Sequence, residues 1–246
     1  MNDLIESNNG RTVRVKMLRK LKSGQWNTLC MPFKPKSRQI RKMFGENTVV
    51  NFYKEYTYVD GELTIYFGKF DLTTLDVGDV SVLENYFISG CPYLIKPENV
   101  REDGIYDFGK VTISTEINKK FHVKAEPFNY YLGTFAPFDL STTDERYAYF
   151  IQSDRLYYVP QTTKVHVLGF RSYFHFPRSR FDSTAATAEA PKEIVIQYGD
   201  GTTTRVTPTI LAPSDDAPAV YDLQGRRLAS PTGKGIYIIG NQKVIK

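Results

Sequence analysis

The sequence predicts an all-β protein: a two-sheet antiparallel β-sandwich with a short helical turn and a small C-terminal β-hairpin module. Three observations support this fold class. The 246-residue chain contains 17 Tyr and 16 Phe, and these residue types favour strands. Short stretches alternate apolar and polar residues, which is typical of half-buried strands. Turn residues recur between these stretches at short spacing, and no long helical periodicity competes with them.

The domain is organised around residues 24–35, GQWNTLCMPFKP, which contain the only tryptophan of the chain. Successive side chains of a strand point to opposite faces, and here both faces receive apolar side chains. This strand is therefore predicted to be covered on both sides. Pro32 and Pro35 lack a backbone N–H, so the strand should end near Phe33. One face holds Trp26, Thr28 and Cys30, and the other holds Asn27, Leu29, Met31 and Phe33.

One helix is predicted, at Ser37–Phe44. Ser37 is a favourable N-cap residue, and Gly45 is favourable just after a helix end. Ile40 and Phe44 lie four positions apart and therefore share one face of the helix. The segment is short, so it forms only a helical turn.

The other predicted elements are strands. Residues 11–20 alternate apolar and basic residues, and Asp60-Gly61 is a dipeptide typical of hairpin turns. Each remaining stretch is short and rich in aromatic or β-branched residues. These strands are predicted at residues 48–53, 62–70, 80–88, 90–97, 105–108, 110–114, 121–125, 130–135, 147–151, 156–159, 164–168, 170–176 and 193–198.

Composition shifts along the chain predict four segments. Residues 1–10 form a disordered N-terminus, residues 11–201 form the β-sandwich domain, and residues 202–217, rich in Thr, Pro, Ser and Asp, form a linker. Residues 218–246 form the C-terminal module, with hairpin signals at Gln224-Gly225 and Gly240-Asn241. The residues predicted to lie in or beside the core of the sandwich are Trp26, Leu29, Met31, Phe33, Tyr93, Ile95, Phe170 and Phe174.

Cysteine and charge place few limits on function. Cys30 and Cys91 could form one bridge, but two buried thiols are favoured. The net charge of +5 is concentrated in residues 11–22 and 34–42. A solvated strand face is the favoured explanation of these basic runs, and binding of an anionic polymer is the alternative. No stretch is long and apolar enough to be a transmembrane segment, and no signal peptide is visible, so the chain is either cytoplasmic or lacks its leader here.

Several motifs together resemble one group of proteins. WNTLCMPF resembles the W-N-T-L-C-L-P-F signature of secreted and surface β-sandwich modules of Bacteroidetes proteins. GCPYLIKP and GFRSYFHF resemble the A-G-T-P-Y-L-I-K-P and G-F-R-A-Y-F segments of the same modules. The terminal VYDLQGRRL and KGIYIIGNQKVIK are similar to a truncated type IX secretion sorting domain. The resemblance extends from about Arg11 to Lys246.

The resemblance implies an extracellular or cell-surface module whose signal peptide is absent from this sequence. It implies no catalytic residue, and it gives no support to a Cys30–Cys91 bridge, because the pattern has Thr or Lys where Cys91 stands.

Signatures of chemistry are weak throughout the chain. The three histidines, His122, His166 and His175, lack metal-ligand spacing, and strand faces explain them. No nucleophile elbow, phosphate-binding loop or dinucleotide fingerprint is present. The carboxylates Asp71, Asp76, Asp79 and Glu84 are close in sequence, as carboxylates are in most proteins. The sequence therefore predicts no catalytic residue, no metal site and no cofactor.

Aromatic side chains supply the one functional lead. Tyr-Tyr pairs place rings on both faces of a strand, and an exposed ring is a good platform for a sugar or a partner protein. The favoured explanation of these pairs, however, is that both faces are covered in a two-layer fold. We expect a non-catalytic module for adhesion or interaction with a protein or glycan, with a carbohydrate-binding module as the alternative and a hydrolase less favoured; nucleic acid is not favoured. The candidate binding residues are Tyr130, Tyr131, Tyr157 and Tyr158.

Overall fold

The computed structural model describes residues 2–73, 87–117, 130–143, 146–152, 154–178, 181, 191, 193–207, 209–210, 220–221, 227–228, 236–239 and 242–245. The chain divides into two compact units, Met1–Ile210 and Leu211–Lys246. Strands dominate the described residues, which confirms the all-β, sandwich-like fold. The strands predicted at 80–88 and 121–125 fall wholly or mostly outside the described residues.

The first unit contains two short helices and fifteen strands in its described part. The helices are α1 (Asn2–Glu6) and α2 (Ser37–Phe44). The strands are β1 (Thr12–Leu18), β2 (Asn27–Cys30), β3 (Val49–Val59), β4 (Glu62–Lys69), β5 (Pro92–Lys96), β6 (Ile105–Thr112), β7 (Tyr131–Thr134), β8 (Phe138–Leu140), β9 (Arg146–Gln152), β10 (Arg155–Val159), β11 (Val165–Val167), β12 (Arg171–Pro177), β13 (Glu193–Gln197), β14 (Thr203–Val206) and β15 (Thr209–Ile210).

The central layer is a six-stranded sheet with the order β14-β13-β4-β3-β5-β2. Its β3–β4 hairpin turns at Asp60 and Gly61, which both have positive φ (51° and 84°), as the predicted two-residue turn requires. Not every neighbour is antiparallel: β13 runs parallel to β4, with Glu193 opposite Glu62. A long connection separates these two strands, so no tight turn forces them to be antiparallel.

The second large sheet has five strands in the order β15-β10-β9-β12-β7, and only the edge pair β10–β15 is parallel. Its inner face and one face of the six-stranded sheet bury a shared core, so these two sheets form the predicted sandwich. The fully buried members of that core are Leu63, Ile65, Leu94, Tyr131, Tyr149, Phe174, Phe176 and Ile194.

The other face of the six-stranded sheet is covered as well. Leu29 and Tyr93 from this sheet pack in one core cluster with Ile40 of α2 and with Tyr106 of β6. Strands β1 and β6 pair only with each other among the described residues, and we call them the β1–β6 ribbon. Because Trp26 belongs to the sandwich core and Leu29 to this second core, the prediction that their strand is covered on both sides is confirmed.

Helix α2 has the predicted bounds but a different cap. Lys36, not Ser37, is the N-cap residue, and Ser37 is the first helical residue. The side-chain oxygen of Gln39 accepts a hydrogen bond from the Lys36 N–H at 2.7 Å, which replaces the expected serine cap. The helix ends at Gly45, whose N–H donates to the Arg41 carbonyl at 2.8 Å.

Three segments differ from their predicted conformation. Helix α1 lies within the predicted disordered N-terminus, and its Ile5 is buried in a core cluster. Strands β14 and β15 lie within the predicted linker, because β14 pairs with β13 and β15 with β10. Strand β6 continues through Gly109, where two strands were predicted. In each case, pairing or packing with a distant segment determines the conformation, and composition does not reveal it.

Predicted core residues are buried, with one exception. Trp26 and Phe174 lie in the sandwich core, as predicted. The buried residues of the second core, on the other face of the six-stranded sheet, include Leu29, Met31, Phe33, Tyr93 and Ile95. Phe170 is only half-buried and has φ of 57°, because it precedes β12 at a bend where its carbonyl accepts hydrogen bonds from Arg19 Nη1 and from the Cys30 N–H. Cys30 and Cys91 are buried and are not joined by a disulfide, so the prediction of two buried thiols is also confirmed.

The described residues of the C-terminal unit form four strands in the order β17-β16-β18-β19. They are β16 (Val220–Tyr221), β17 (Arg227–Leu228), β18 (Ile236–Ile239) and β19 (Gln242–Ile245). The pairs β16–β17 and β18–β19 are antiparallel, as the two hairpin signals predict. Pairing of β16 with β18 joins the two hairpins into one sheet.

Candidate functional site

A groove lies between α2 and the β1–β6 ribbon. Its volume of about 840 Å³ is within the range of ligand-binding pockets. Both basic runs of the sequence contribute to it, although they are separated along the chain by the Trp26 strand. The groove is lined by Arg14, Lys16, Arg38, Gln39, Lys42, Met43, Arg101, Asp103, Ile105, Asp107, Phe108 and Gly109.

The ribbon places basic side chains on its outer face. Val13 and Val15 of β1 pack against the core, so the intervening Arg14 and Lys16 point outward and are exposed. Pairing with β6 puts Asp107 opposite Lys16. A register shift between Val15 and Lys16 interrupts the regular ladder next to the groove. The alternation of β1 thus accounts for the cationic wall on this side.

Helix α2 forms the opposite wall. Arg38 and Lys42 are four residues apart and exposed, so they lie one above the other on the helix. Gln39 and Met43 have the same spacing and are half-buried nearer the ribbon. The Gln39 side-chain amide donates a hydrogen bond to the Phe108 carbonyl of β6. This bond fixes the helix beside the ribbon and therefore sets the position of its wall.

Two arginines of the groove are neutralised by acidic neighbours. Arg14 binds Asp107 through two nitrogens, with Nη2 at 2.6 Å and Nε at 3.1 Å from Oδ2. Hydrogen bonds from Arg14 and from the Gly109 N–H lower the pKa of Asp107 to about 2. Arg101 binds Asp103 with Nε and Nη2 each at 3.0 Å from a carboxylate oxygen, and this bond holds the pKa of Asp103 below its usual value.

Three further cations of the groove form no such bond, although Lys16 lies opposite Asp107 across the ribbon. Lys16, Arg38 and Lys42 form neither a hydrogen bond nor an ion pair with any residue that the structure describes. Five basic and two acidic side chains line the groove, a formal excess of three positive charges. Because charges of one sign that converge on a concave surface concentrate their field there, the groove is suited to an anionic ligand.

Two of the sequence-predicted site residues are buried. Tyr131 is fully buried, donates its hydroxyl hydrogen to the Tyr93 carbonyl at 3.2 Å and accepts a hydrogen bond from Ser172 at 2.6 Å. Burial raises the pKa of Tyr131. Tyr130 is 5% exposed and packs edge-on against Tyr56. Both rings lie in the core between the two large sheets, so the favoured explanation of covered faces holds for them and neither ring is exposed as a binding platform.

Tyr157 and Tyr158 are both half-buried and point to opposite faces of the five-stranded sheet. Tyr158 packs on the core side against Tyr149, with ring centroids 5.4 Å apart. Tyr157 stacks on Phe150 at 5.1 Å with an angle of 14° between the rings, on the outer face. The β9–β12 register places Tyr173 opposite Phe150. We call Tyr157, Phe150 and Tyr173, with Phe138 packed on Tyr173, the aromatic row.

The histidines form no common site. His166 is exposed, as predicted, and its Nδ1 lies 3.0 Å from Asp139 Oδ1. Burial and the nearby Arg146 lower the pKa of His175 to about 4, so this imidazole is neutral at neutral pH. His122 lies outside the described residues. Among the residues that the structure describes, no three His, Cys, Asp or Glu side chains are grouped as a metal site would require.

The sequence showed the two basic runs but did not predict that they line the same groove. The only local signal was the helical spacing of Arg38 and Lys42, which places them on one face. In the described part of the chain, neither helix has the length and apolar character needed to cross a membrane. Comparisons with known protein families, curated proteins and solved structures find no match to this chain.

Proposed function

We propose that this chain is a non-catalytic interaction module that holds an anionic partner in the groove between α2 and the β1–β6 ribbon. The observation that supports this proposal best is the convergence of Lys16, Arg38 and Lys42 on one concave surface, where none of them forms a hydrogen bond or an ion pair with a residue that the structure describes. Surface cations that contribute only to solubility do not need to lie around one concave surface. Here two distant segments supply them to one groove, where they can act together on a ligand.

The proposal includes an extracellular or cell-surface location and a role in adhesion or interaction. It rests on the resemblance of the Trp26 segment and of residues 90–97 to secreted β-sandwich modules. No catalytic role is proposed, because the two groove carboxylates are engaged by arginines and have pKa values below their usual range. A general acid or base near neutral pH would need a raised pKa instead.

Replacing Lys16, Arg38 and Lys42 with glutamate should greatly weaken the binding of anionic polymers to the groove. We expect the triple variant Lys16→Glu, Arg38→Glu, Lys42→Glu to bind immobilised anionic polymers at least about 20-fold more weakly than the parent. Three cation contacts to a linear polyanion contribute roughly that factor between about 50 mM and about 200 mM salt. The measurement is biolayer interferometry of the full chain across a salt series, in which the variant should show a shallower salt dependence.

A matched control separates the groove from net charge. The triple variant Lys54→Glu, Lys69→Glu, Lys164→Glu changes the same total charge at exposed positions that do not line the groove. It should retain binding within a few-fold of the parent. Equal losses in the two triple variants would show that net charge alone drives binding, and the proposed function would then be wrong.

A second candidate function is carbohydrate binding on the outer face of the five-stranded sheet. The observation that favours it is the aromatic row, in which half-buried rings of β9, β10 and β12 adjoin one another across the strands. Aromatic rings pack against the C–H faces of sugars with little loss of entropy. Tyr157 is the one residue of the sequence-predicted set that belongs to this row, and it is half-buried.

Truncating Tyr157 tests this candidate. We expect Tyr157→Ala to weaken binding of neutral oligosaccharides by about 3- to 10-fold, because one aromatic contact contributes about 0.5–1.5 kcal/mol. Isothermal titration calorimetry against β-linked glucan and mannan hexasaccharides measures the change. The control is Tyr66→Ala, which removes a half-buried tyrosine from β4. If the parent binds no neutral sugar, the aromatic row is only packing.

A further inference from the structure

We propose that the anionic partner is a linear acidic polysaccharide, with carboxylate or sulfate groups repeated along its sugar chain. This inference rests on the proposed function and narrows its ligand. Three classes of polyanion could satisfy the charge of the groove: acidic peptides, nucleic acids and acidic polysaccharides. The walls and floor of the groove discriminate among them.

The groove offers few hydrogen-bonding partners to the main chain of an extended acidic peptide. Peptides that bind to sheets gain affinity by hydrogen bonding to a free strand edge. Strand β6, which supplies the floor, is paired with β1 along one edge. At its other edge, the Gln39 side chain occupies the Phe108 carbonyl and α2 lies alongside. A ligand in the groove therefore contacts a strand face and side chains. A peptide backbone could not form a ladder of hydrogen bonds with them.

A single-stranded nucleic acid has no stacking platform in the groove. Proteins that bind such strands combine cations with exposed aromatic rings on which the bases stack. Phe108 is the only aromatic residue among the described lining residues, and it is 2% exposed because its ring packs against Phe33 at 5.0 Å. The bases would therefore have no ring on which to stack.

The groove combines the features that an acidic sugar chain needs. Lys16, Arg38 and Lys42 can bind its anionic groups, and Arg38 and Lys42 lie about 6 Å apart along the helix axis. Among the described residues, Asp103 Oδ2 accepts only the bond from Arg101 Nη2, so it can also accept a hydrogen bond from a sugar hydroxyl group. Ile105, 41% exposed, and Met43 provide apolar contact for the C–H face of a sugar ring.

The class of ligand is tested with four polyanions of matched length: polygalacturonate, dextran sulfate, poly-L-glutamate and oligo-dT. At about 100 mM salt, we expect the parent to bind at least one of the two polysaccharides about 10-fold or more tightly than poly-L-glutamate and oligo-dT. Preference between polygalacturonate and dextran sulfate distinguishes carboxylate from sulfate groups. Methyl esterification, which removes the charge of polygalacturonate, should abolish its binding.

A second variant tests contact with the sugar itself. Ile105→Ser with Met43→Gln keeps every charge of the groove, so it should weaken polysaccharide binding several-fold and leave poly-L-glutamate binding unchanged. Poly-L-glutamate or oligo-dT could instead bind most tightly and lose that binding in the Lys16, Arg38 and Lys42 triple variant. This result would overturn the proposal of a polysaccharide ligand but would still support the proposed function. If the triple variant binds all four polymers as tightly as the parent, both the polysaccharide ligand and the proposed function are wrong. Both are also wrong if the parent binds none of the four polymers.

Discussion

Replacing Trp26 with alanine is expected to lower the free energy of unfolding by about 3–5 kcal/mol, the usual cost of truncating a large buried aromatic side chain. The ring is 7% exposed in the core between the two large sheets. It stacks on Tyr198 at a centroid distance of 4.7 Å and an angle of 9°, and Lys96 Nζ lies 5.8 Å above it. Truncation removes these contacts and leaves a cavity that strands of both sheets cannot readily close.

Trp26 is the only tryptophan, so the measurement must not depend on its fluorescence. Urea denaturation followed by far-UV circular dichroism gives the free energy of unfolding of parent and variant. Trp26→Phe is the matched control, because it keeps an aromatic ring beside Tyr198 and should cost clearly less. A Trp26→Ala protein whose stability lies within about 1 kcal/mol of the parent would show that the ring is not an anchor of the core.

Replacing Gly90 with alanine is expected to cost about 2–5 kcal/mol. Gly90 precedes β5, and its φ of 75° is unfavourable for any residue with a Cβ, by about 1–2 kcal/mol. An added Cβ would also lie 2.0 Å from the Glu116 carbonyl oxygen, so backbone must move. Overpacking of this kind costs about a further 1–3 kcal/mol. The Gly90 N–H donates to the Met31 carbonyl at 2.8 Å, so displacement would also disturb the end of β2.

Gly24→Ala is the matched control for this prediction. Gly24 has a similar φ of 68°, but nothing lies within 4 Å of an added Cβ. It should therefore lose only the conformational part, about 1–2 kcal/mol. The same denaturation experiment on both variants isolates the clash with Glu116. Equal losses for Gly90→Ala and Gly24→Ala would show that the neighbouring backbone yields without cost.

Local signals in the sequence were sufficient for most individual elements. Residues 37–44 form the helix, because the spacing of Ile40 and Phe44 and the terminal Gly45 all lie within one short segment. The β3–β4 turn follows from Asp60-Gly61, since both positions need positive φ. Alternation in β1 likewise predicted which side chains face the solvent. Each of these features depends on neighbours in the chain.

Features that depend on distant segments could not be predicted in this way. The groove exists because β1 pairs with β6, about ninety residues later, and because Gln39 joins α2 to that strand. The sequence gives no sign of either contact, so the favoured explanation of the basic runs was a solvated face. The burial of Tyr131 likewise depends on the six-stranded sheet that covers it, which its own strand does not specify.

The parallel pairing of β13 with β4 has a consequence for the order of assembly. Glu62 lies opposite Glu193, so the two strands that meet are far apart along the chain. During synthesis or translocation from the N-terminus, β3 and β4 can form a hairpin early. The outer edge of β4 then remains unpaired until β13 pairs with it. Open edges template association with other chains, and long-range pairings form slowly. Premature termination before residue 193 would therefore leave β4 as an unpaired edge strand, at which other chains could pair.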